Sequence, residues 1–234
     1  MPRFAAIVPA AGSSKRYGRN KLLEEVASQS VLHRALLSLL NHDSCDLLCV
    51  ATSDEAIARH VDQLQSQTRK KIFLCPGGET RAHSVFSALR AVPSSHAWVA
   101  IHDAARPLLL PDVIDRTLAA AVEHGAAAPA LPVHLTIKQA DGPLPAKVQR
   151  TVARNTLWSM QTPQIARRDE LLDAFARCPI PLEQVTDDVQ LLELVGKDVW
   201  LVAGDERNLK ITTPTDRALA EALLRQAGDA QNRT

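Results

Sequence analysis

Short apolar runs alternate with longer amphipathic segments along nearly the whole chain. The short runs are apolar on both faces and rich in Val, Ile and Ala, which is typical of strands covered by helices on each side. The predicted strands cover residues 4–8, 47–51, 72–75, 97–101, 127–133 and 199–203. Because these strands alternate with helices, the pattern predicts an α/β fold with a mostly parallel twisted sheet flanked by helices.

The longer segments carry apolar residues at helical spacing. Four leucines of residues 31–40 fall on one helix face. Further helices are predicted over 80–91 and 112–124, from an N-cap at Thr186 to a stop before Gly196, and from Pro214 to Gly228.

Residues 132–155 break this alternation. Two extended runs, 136–138 and 148–152, flank an Asp141-Gly142 turn and predict a β-hairpin. The hairpin is too polar for a core, so we expect a projecting β-arm at 133–156 within a single domain spanning 1–234. An isolated hairpin is marginal in water and needs a surface to pack on. A second subunit is the first candidate, which predicts a homodimer, and the hairpin's own domain is the alternative.

Composition excludes several classes of protein. The chain has 234 residues with 27 Lys+Arg against 26 Asp+Glu, and this net charge of +1 argues against a nucleic-acid-binding protein. It contains no apolar run long enough to cross a bilayer and no signal-peptide pattern at its start. Four cysteines are too few for a disulfide framework and form no zinc pattern. We therefore expect a cytoplasmic protein without a membrane partner.

A loop of small residues, Ala10-Ala11-Gly12-Ser13, follows the first predicted strand. Small residues let backbone amides approach an anion closely, and ligands of open α/β sheets bind beyond the carboxyl ends of the strands. The cations that follow are Lys15, Arg16, Arg19 and Lys21. The loop fits neither the dinucleotide fingerprint nor the Walker pattern. From the residues alone, a triphosphate site and a plain strand–helix turn with solvated cations are equally supported.

Five sequence blocks resemble a known family. The run from Ala10 to Arg16, with Lys21 after it, is similar to the opening motif of sugar nucleotidyltransferases. The other blocks are Pro76-Gly-Gly-Glu-Thr-Arg81 with Ser84-Val85, His102-Asp-Ala-Ala-Arg-Pro107, Thr162-Pro-Gln164 and Asn208-Leu-Lys-Ile-Thr212. In the same order and at similar spacing, they resemble 2-C-methyl-D-erythritol 4-phosphate cytidylyltransferases, over roughly residues 4–222.

The resemblance implies a Rossmann-like nucleotidyltransferase fold and a reaction. A cytidylyl group would pass from CTP to 2-C-methyl-D-erythritol 4-phosphate, releasing pyrophosphate, in the non-mevalonate route to isoprenoid precursors. A cytidylyltransferase acting on ribitol 5-phosphate or molybdopterin is the alternative. At Ser14, Tyr17 and Leu22 the chain departs from the residues usual in the family.

The resemblance also assigns roles to residues. Arg16 and Lys21 would stabilise transition-state charge, Lys210 would reach the α-phosphate, and Asp103 would hold Mg²⁺. Arg154, Thr136 and Thr162 would bind the sugar phosphate, partly from the arm of a second subunit. The nucleotide would contact Ala10, Ala11, Gly12, Ser13, Gly78, Glu79, Ser84, Asp103, Ala104 and Arg106. Without the resemblance, Asp103 reads as a helix cap or surface carboxylate, Ser84 as a helix-surface residue and Lys210 as a solvated lysine.

Overall fold

The computed structural model describes residues 1–12 and 21–231, and the side chains as far as residue 227. The strands are β1 (Phe4–Pro9), β2 (Glu25–Val26), β3 (Gln29–Ser30), β4 (Cys45–Ala51), β5 (Lys71–Cys75), β6 (Trp98–Ile101), β7 (Ala126–Pro132), β8 (Ile137–Ala140), β9 (Val148–Val152), β10 (Trp158–Met160), β11 (Gln164–Arg167) and β12 (Trp200–Ala203). The α-helices are α1 (Val31–Leu40), α2 (Glu55–Gln65), α3 (Arg81–Ala91), α4 (Pro111–His124), α5 (Arg168–Arg177), α6 (Asp188–Leu194) and α7 (Pro214–Gln231). Two short 3-10 helices cover Lys21–Leu23 and Leu182–Gln184.

Within the described ranges, eight strands form one sheet in the order β10-β7-β11-β6-β1-β4-β5, with β12 beside β7. The pairs β6–β1, β1–β4, β4–β5 and β7–β12 are parallel, whereas β11 and β10 run antiparallel to their neighbours. The mostly parallel sheet that we predicted is therefore confirmed. Since β1, β4, β5 and β6 share one direction, the loops that follow them open at the same sheet edge.

Side-chain alternation along β1 divides the core between the two faces of the sheet. Phe4, Ala6 and Val8 pack in a cluster with α1, α2, α4 and α7, whereas Ala5 and Ile7 pack with α3, α5 and α6. All five side chains are fully buried. Helices thus cover both faces, which is why β1 reads as a continuous apolar run rather than an alternating one.

Local chemistry sets the ends of the predicted helices. Thr80 caps α3 by accepting a hydrogen bond from the His83 amide at 3.3 Å, and Pro111 begins α4. The predicted N-cap of α6 is wrong: the cap is Asp187, whose carboxylate accepts from the Gln190 amide at 3.0 Å. The Thr186 amide donates instead to the Gln190 side chain.

Two helices and two strands of the central sheet lie in regions where we predicted none. The α2 helix buries only Ile57, Val61 and Leu64 in an otherwise polar sequence, so its apolar stripe is narrow. The apolar stripe of the α5 helix is narrow for the same reason. The strands β10 and β11 are only three and four residues long, yet β11 lies between β6 and β7 in the sheet.

The predicted hairpin is present. Strands β8 and β9 pair antiparallel in a two-stranded sheet of their own. Their connection spans residues 141–147 and includes the predicted Asp141-Gly142 turn, with Gly142 at a φ of +67°. Leu135 and Leu144 beside these strands are 78% and 88% exposed, so apolar side chains of the arm lie open. Among the described helices, none is both long and apolar enough to span a bilayer.

Candidate functional site

Backbone hydrogen bonds bring four loops together at the carboxyl edge of the sheet. The Ala10 amide donates to the Ala51 carbonyl at 2.8 Å, and the Gly77 amide donates to the Thr52 carbonyl at 3.1 Å. On the other side of β1, the His102 amide donates to the Ile7 carbonyl at 2.8 Å. The late segment joins through Ile211, whose amide donates to the Ala105 carbonyl at 2.8 Å. The loops at 10–12, 76–78, 102–106 and 208–211 therefore border one region, as the sheet order predicts.

Close packing explains the two glycines after β5. A Cβ atom on Gly77 would lie 2.3 Å from the Cβ of Ala11, and one on Gly78 would lie 2.4 Å from the Cβ of His83. Any larger residue would push the loops apart. Ser84 is buried, and its hydroxyl accepts from the Gly78 amide and donates to the Thr80 carbonyl, each at 3.0 Å. Its observed contacts therefore fix the shape of the Gly78 loop, whereas Glu79 next to it is exposed.

Three cations surround the carboxylate of Asp103. Lys210 Nζ lies 2.9 Å from Oδ2, Arg81 Nε lies 3.0 Å from Oδ1, and Arg106 Nε lies 3.4 Å from Oδ2. The carboxylate itself is 9% exposed, whereas the side chains of Arg81 and Lys210 are 29% and 39% exposed. A buried anion thus holds two cations whose outer surfaces face solvent, which is an arrangement suited to binding phosphate.

The surrounding charges determine how Asp103 titrates. Burial alone would raise the pKa of this carboxyl, but Arg81, Lys210 and Arg106 together hold its pKa well below the usual range. Burial likewise opposes the charged form of Arg81, yet Asp188 and Asp103 raise the pKa of its guanidinium above the ordinary value. The Asp103–Arg81 pair is therefore fully ionised at neutral pH.

Asp188 extends this cluster, although no sequence pattern singled it out. Its carboxylate is 2% exposed and accepts from Arg81 Nη2 at 2.7 Å, so Arg81 bridges Asp188 and Asp103. Burial raises the pKa of Asp188, and Arg81 opposes that shift. Arg81 belongs to a sequence block that carried the family resemblance, but no role was attached to it. Only the meeting of the start of α3 with the start of α6 reveals the contact.

His102 and Thr162 lie beside Asp103 and form a buried hydrogen-bond relay. Thr162 Oγ1 accepts from the Asp103 amide at 3.1 Å and lies 2.9 Å from His102 Nδ1, while His102 Nε2 lies 3.1 Å from the Arg106 carbonyl. These contacts assign a neutral imidazole that donates from Nε2 and accepts at Nδ1 from the Thr162 hydroxyl. Burial lowers the pKa of His102 to about 4. The hydroxyl of Thr162 is thus engaged within the protein rather than turned toward the predicted sugar-phosphate site.

Arg106 ties the site to two further segments. Its Nη1 donates to the Asn208 carbonyl at 2.7 Å, and its Nη2 donates to the Met160 carbonyl at 3.3 Å. Asn208 is fully buried, and its side-chain amide donates to the Thr162 carbonyl at 2.7 Å. All three guanidinium nitrogens of Arg106 are therefore bonded to the protein, and the residue anchors the segment that carries Lys210.

The carboxylate of Asp103, the predicted Mg²⁺ ligand, is paired with cations of the chain itself. Both of its oxygens already lie against cations, so a bound ion would have to displace at least one of them. Across residues 1–12 and 21–231, His, Cys, Asp and Glu side chains form no group of three or more suited to a metal. The expected Mg²⁺ remains a prediction.

The other residues predicted to bind the nucleotide fall in different places. Ser13 and Arg16 lie outside the described residues. Ala10 is buried, Ala11 is half-buried and Gly12 is exposed, all directly after β1, and Ala104 is buried next to Asp103. Lys21 is partly exposed at the start of its 3-10 helix, where it has an interaction partner.

Thr136 and Arg154 belong to the arm. Both are exposed, and Arg154 donates to the carbonyl of His134, within the arm itself. In the part of the chain that the structure describes, no ion pair or hydrogen bond joins either of them to Asp103 or Lys210. Their predicted role in binding the sugar phosphate stays a prediction.

Comparison with known proteins identifies the family. The family model described as IspD, 2-C-methyl-D-erythritol 4-phosphate cytidylyltransferase, matches residues 4–226. Relatives of that name from a Synechococcus sp. strain and from Synechococcus elongatus are 42% and 43% identical, each match covering 94% of this chain and 95% of the relative. The crystal structure of the enzyme of that name from Thermus thermophilus superimposes with a TM-score of 0.77 at 31% identity, covering 95% of this chain and 99% of that one.

A second solved structure agrees. It is the 4-diphosphocytidyl-2C-methyl-D-erythritol synthase from Anaerococcus prevotii, with a TM-score of 0.83 at 25% identity over 96% of both chains. The match of the family model to nearly the whole chain, together with relatives above 40% identity, places the motifs and the fold in one group of enzymes. The chain belongs to the 2-C-methyl-D-erythritol 4-phosphate cytidylyltransferase family.

Proposed function

We propose that this chain transfers the cytidylyl group of CTP to 2-C-methyl-D-erythritol 4-phosphate, in the formation of isoprenoid precursors. Its family relatives carry that activity in their names. The observation that carries the proposal is the cluster at Asp103, where Lys210 and Arg81 are held in place and remain open to solvent. The cluster lies at the sheet edge bordered by the first loop, where a nucleotide binds in open α/β folds.

The reaction requires little acid–base chemistry from the protein. A phosphate oxygen of the acceptor, already anionic, attacks the α-phosphorus of CTP and forms the new P–O bond. The bond between the α-phosphorus and the bridging oxygen breaks, and pyrophosphate leaves with the electron pair. Catalysis then rests on alignment and on neutralising charge. In this proposal Lys210 contacts the α-phosphate, and Lys21 and Arg16 contact the triphosphate.

The contacts of Asp103 bear on which groups would bind Mg²⁺. Since both oxygens of Asp103 already lie against cations, we assign the ion to the triphosphate oxygens of CTP, which suit a hard cation that retains water ligands. The chain's own contribution is then a set of fixed positive charges around the nucleotide.

The proposal includes a homodimer in which the β-arm reaches the neighbouring active site. The exposed Leu135 and Leu144 give the arm an apolar surface to bury, and Arg154 and Thr136 give it groups that bind a phosphomonoester. A cytoplasmic location is part of the same proposal.

Pyrophosphate release tests the proposed activity. The purified chain is incubated with CTP and Mg²⁺ and with one acceptor at a time: 2-C-methyl-D-erythritol 4-phosphate, ribitol 5-phosphate or molybdopterin. We expect release with the first acceptor, at a kcat/KM at least about a hundredfold above that for the others, since the site must pair with a specific polar acceptor. Release with another acceptor alone would overturn the substrate assignment.

A further inference from the structure

The carboxylate of Asp188 pairs with Arg81, which also contacts Asp103 in the proposed nucleotide site. It begins α6, is 2% exposed, and pairs with Arg81 at 2.7 Å. Two hydrogen bonds fix the backbone at this point, because the side-chain oxygen of Gln164 accepts from the amides of Asp188 and Val189 at 2.8 and 3.2 Å. Gln164, a buried glutamine of the central strand β11, therefore holds the start of α6, and with it Asp188, at a fixed position.

The contact with Asp188 helps to fix the position of the Arg81 guanidinium relative to Asp103. Arg81 donates with Nε to Asp103 and with Nη2 to Asp188, so its guanidinium is fixed at two points. Asp103 contacts Arg81, Arg106 and Lys210, whereas Arg81 divides its contacts between Asp103 and Asp188, so losing the Asp188 carboxylate would remove one of the two points that fix Arg81.

We infer that Asp188 is a positioning residue, which holds Arg81 against Oδ1 of Asp103 so that Oδ2, which Arg106 also contacts, orients Lys210. The inference rests on the proposed function only for the role of Lys210 in catalysis. The contacts themselves do not depend on it. Asp188 acts through two intervening side chains and touches no substrate, so its effect falls on kcat more than on the KM of the sugar phosphate.

The chain offers a matched control in the adjacent residue. Asp187 is also a carboxylate at the start of α6 and also contacts Gln164, whose Nε2 donates to it at 3.1 Å. It caps α6 through the Gln190 amide, and asparagine is an equally good N-cap. Asp187→Asn therefore removes a charge from the same helix turn and leaves in place both carboxylates that Arg81 contacts.

Kinetics of four variants test the inference. We expect Asp188→Asn to lower kcat by about tenfold to a hundredfold, as for a small displacement of a catalytic group, with the KM for the sugar phosphate within about twofold of the parent. We expect Asp187→Asn to stay within about twofold in both constants. In an Arg81→Gln background, adding Asp188→Asn should cost less than about twofold further, because the two residues act in series. Additive losses, or equal losses in Asp187→Asn and Asp188→Asn, would overturn the inference.

A spectroscopic measurement separates this inference from the proposed activity. In ¹⁵N-arginine-labelled protein, NMR relaxation of the Nε–H group reports how mobile the Arg81 side chain is. We expect a rigid side chain in the parent and in Asp187→Asn and a mobile one in Asp188→Asn, whether or not the enzyme is active. An Arg81 side chain that is as rigid in Asp188→Asn as in the parent overturns the inference. An inactive parent with the expected Arg81 signals overturns the proposed function alone. If Asp188→Asn does not fold, Arg81→Gln must show the loss of kcat expected for Asp188→Asn, about tenfold to a hundredfold. Parental kcat in Arg81→Gln then overturns the inference.

Discussion

The ammonium nitrogen of Lys210 lies 2.9 Å from Oδ2 of Asp103, although the two residues come from distant parts of the chain. The contact depends on two anchors: Ile211 bonds to Ala105 through the backbone, and Arg106 holds the Asn208 carbonyl. Lys210 therefore lies in a segment that hydrogen bonds hold in place on both sides of it. A lysine that is solvated at random would need neither anchor.

The position of Lys210 predicts a large kinetic effect on its removal. Lys210→Ala should lower kcat by about a hundredfold to a thousandfold, the loss seen when one preorganised donor to developing charge is deleted. Lys197→Ala is the control, since Lys197 makes a surface ion pair with Glu170 at 3.7 Å. Pyrophosphate release at saturating CTP measures both variants. Parental kcat in Lys210→Ala would remove Lys210 from the mechanism.

Asp103 should matter for stability as well as for activity. Asp103→Asn leaves the buried Arg106 without its carboxylate, and breaking a buried ion pair from one side costs about 3–5 kcal/mol in free energy of unfolding. Urea denaturation monitored by circular dichroism gives the value. Asp62→Asn, on the exposed face of α2, is the control and should change it by less than about 0.5 kcal/mol. Equal stability of Asp103→Asn and the parent would show that the cluster does not hold the site together.

His102 should make folding sensitive to acid. Its pKa is about 4 in the folded chain against an ordinary 6.5, so between these values the unfolded chain binds the additional proton. Its contribution to stability is therefore fully present above pH 6.5 and falls as the pH drops toward 4, by about 3 kcal/mol. Urea denaturation at pH 7 and about pH 4.5 should show a smaller drop for His102→Asn than for the parent. Equal drops would contradict the assignment of a neutral buried imidazole.

The arm gives a prediction about two subunits. If Arg154 serves the neighbouring active site, a mixture of Arg154→Ala and Lys210→Ala chains forms hybrid dimers in which one of the two sites is intact. After subunit exchange, such a mixture should recover about a quarter of the parental activity, as expected for random pairing in a twofold-symmetric dimer. Each variant alone should stay nearly inactive. A mixture no more active than its components would place Arg154 in its own subunit's site or outside any site.

Sequence pattern predicted the parts of the fold that depend on local periodicity. Helix α1 has the predicted bounds, because four leucines mark one face of it. Helix α2 was missed because three apolar residues in a polar segment give a weak signal. The strand β11 was missed because it is short and is specified by pairing with β6 and β7 rather than by its own composition.

The site was predictable to a smaller extent. Asp103, Arg106 and Lys210 are motif residues, and the structure brings them into contact. The bridge from Arg81 to Asp188 joins residues from two helices far apart in sequence, and no spacing rule predicts such a contact. Thr162 is a motif residue too, but its hydroxyl is bonded to His102 and the Asp103 amide. A motif identifies a residue, whereas burial and neighbours decide what its side chain can reach.

The most direct test is a crystal structure of this chain with CTP bound. The account predicts that a triphosphate oxygen lies at hydrogen-bond distance, about 3 Å, from the ammonium nitrogen of Lys210. The same nucleotide should contact the loop after β1 and Lys21. CTP bound in a different cleft, with Lys210 and Lys21 directed to separate faces of the molecule, would contradict it.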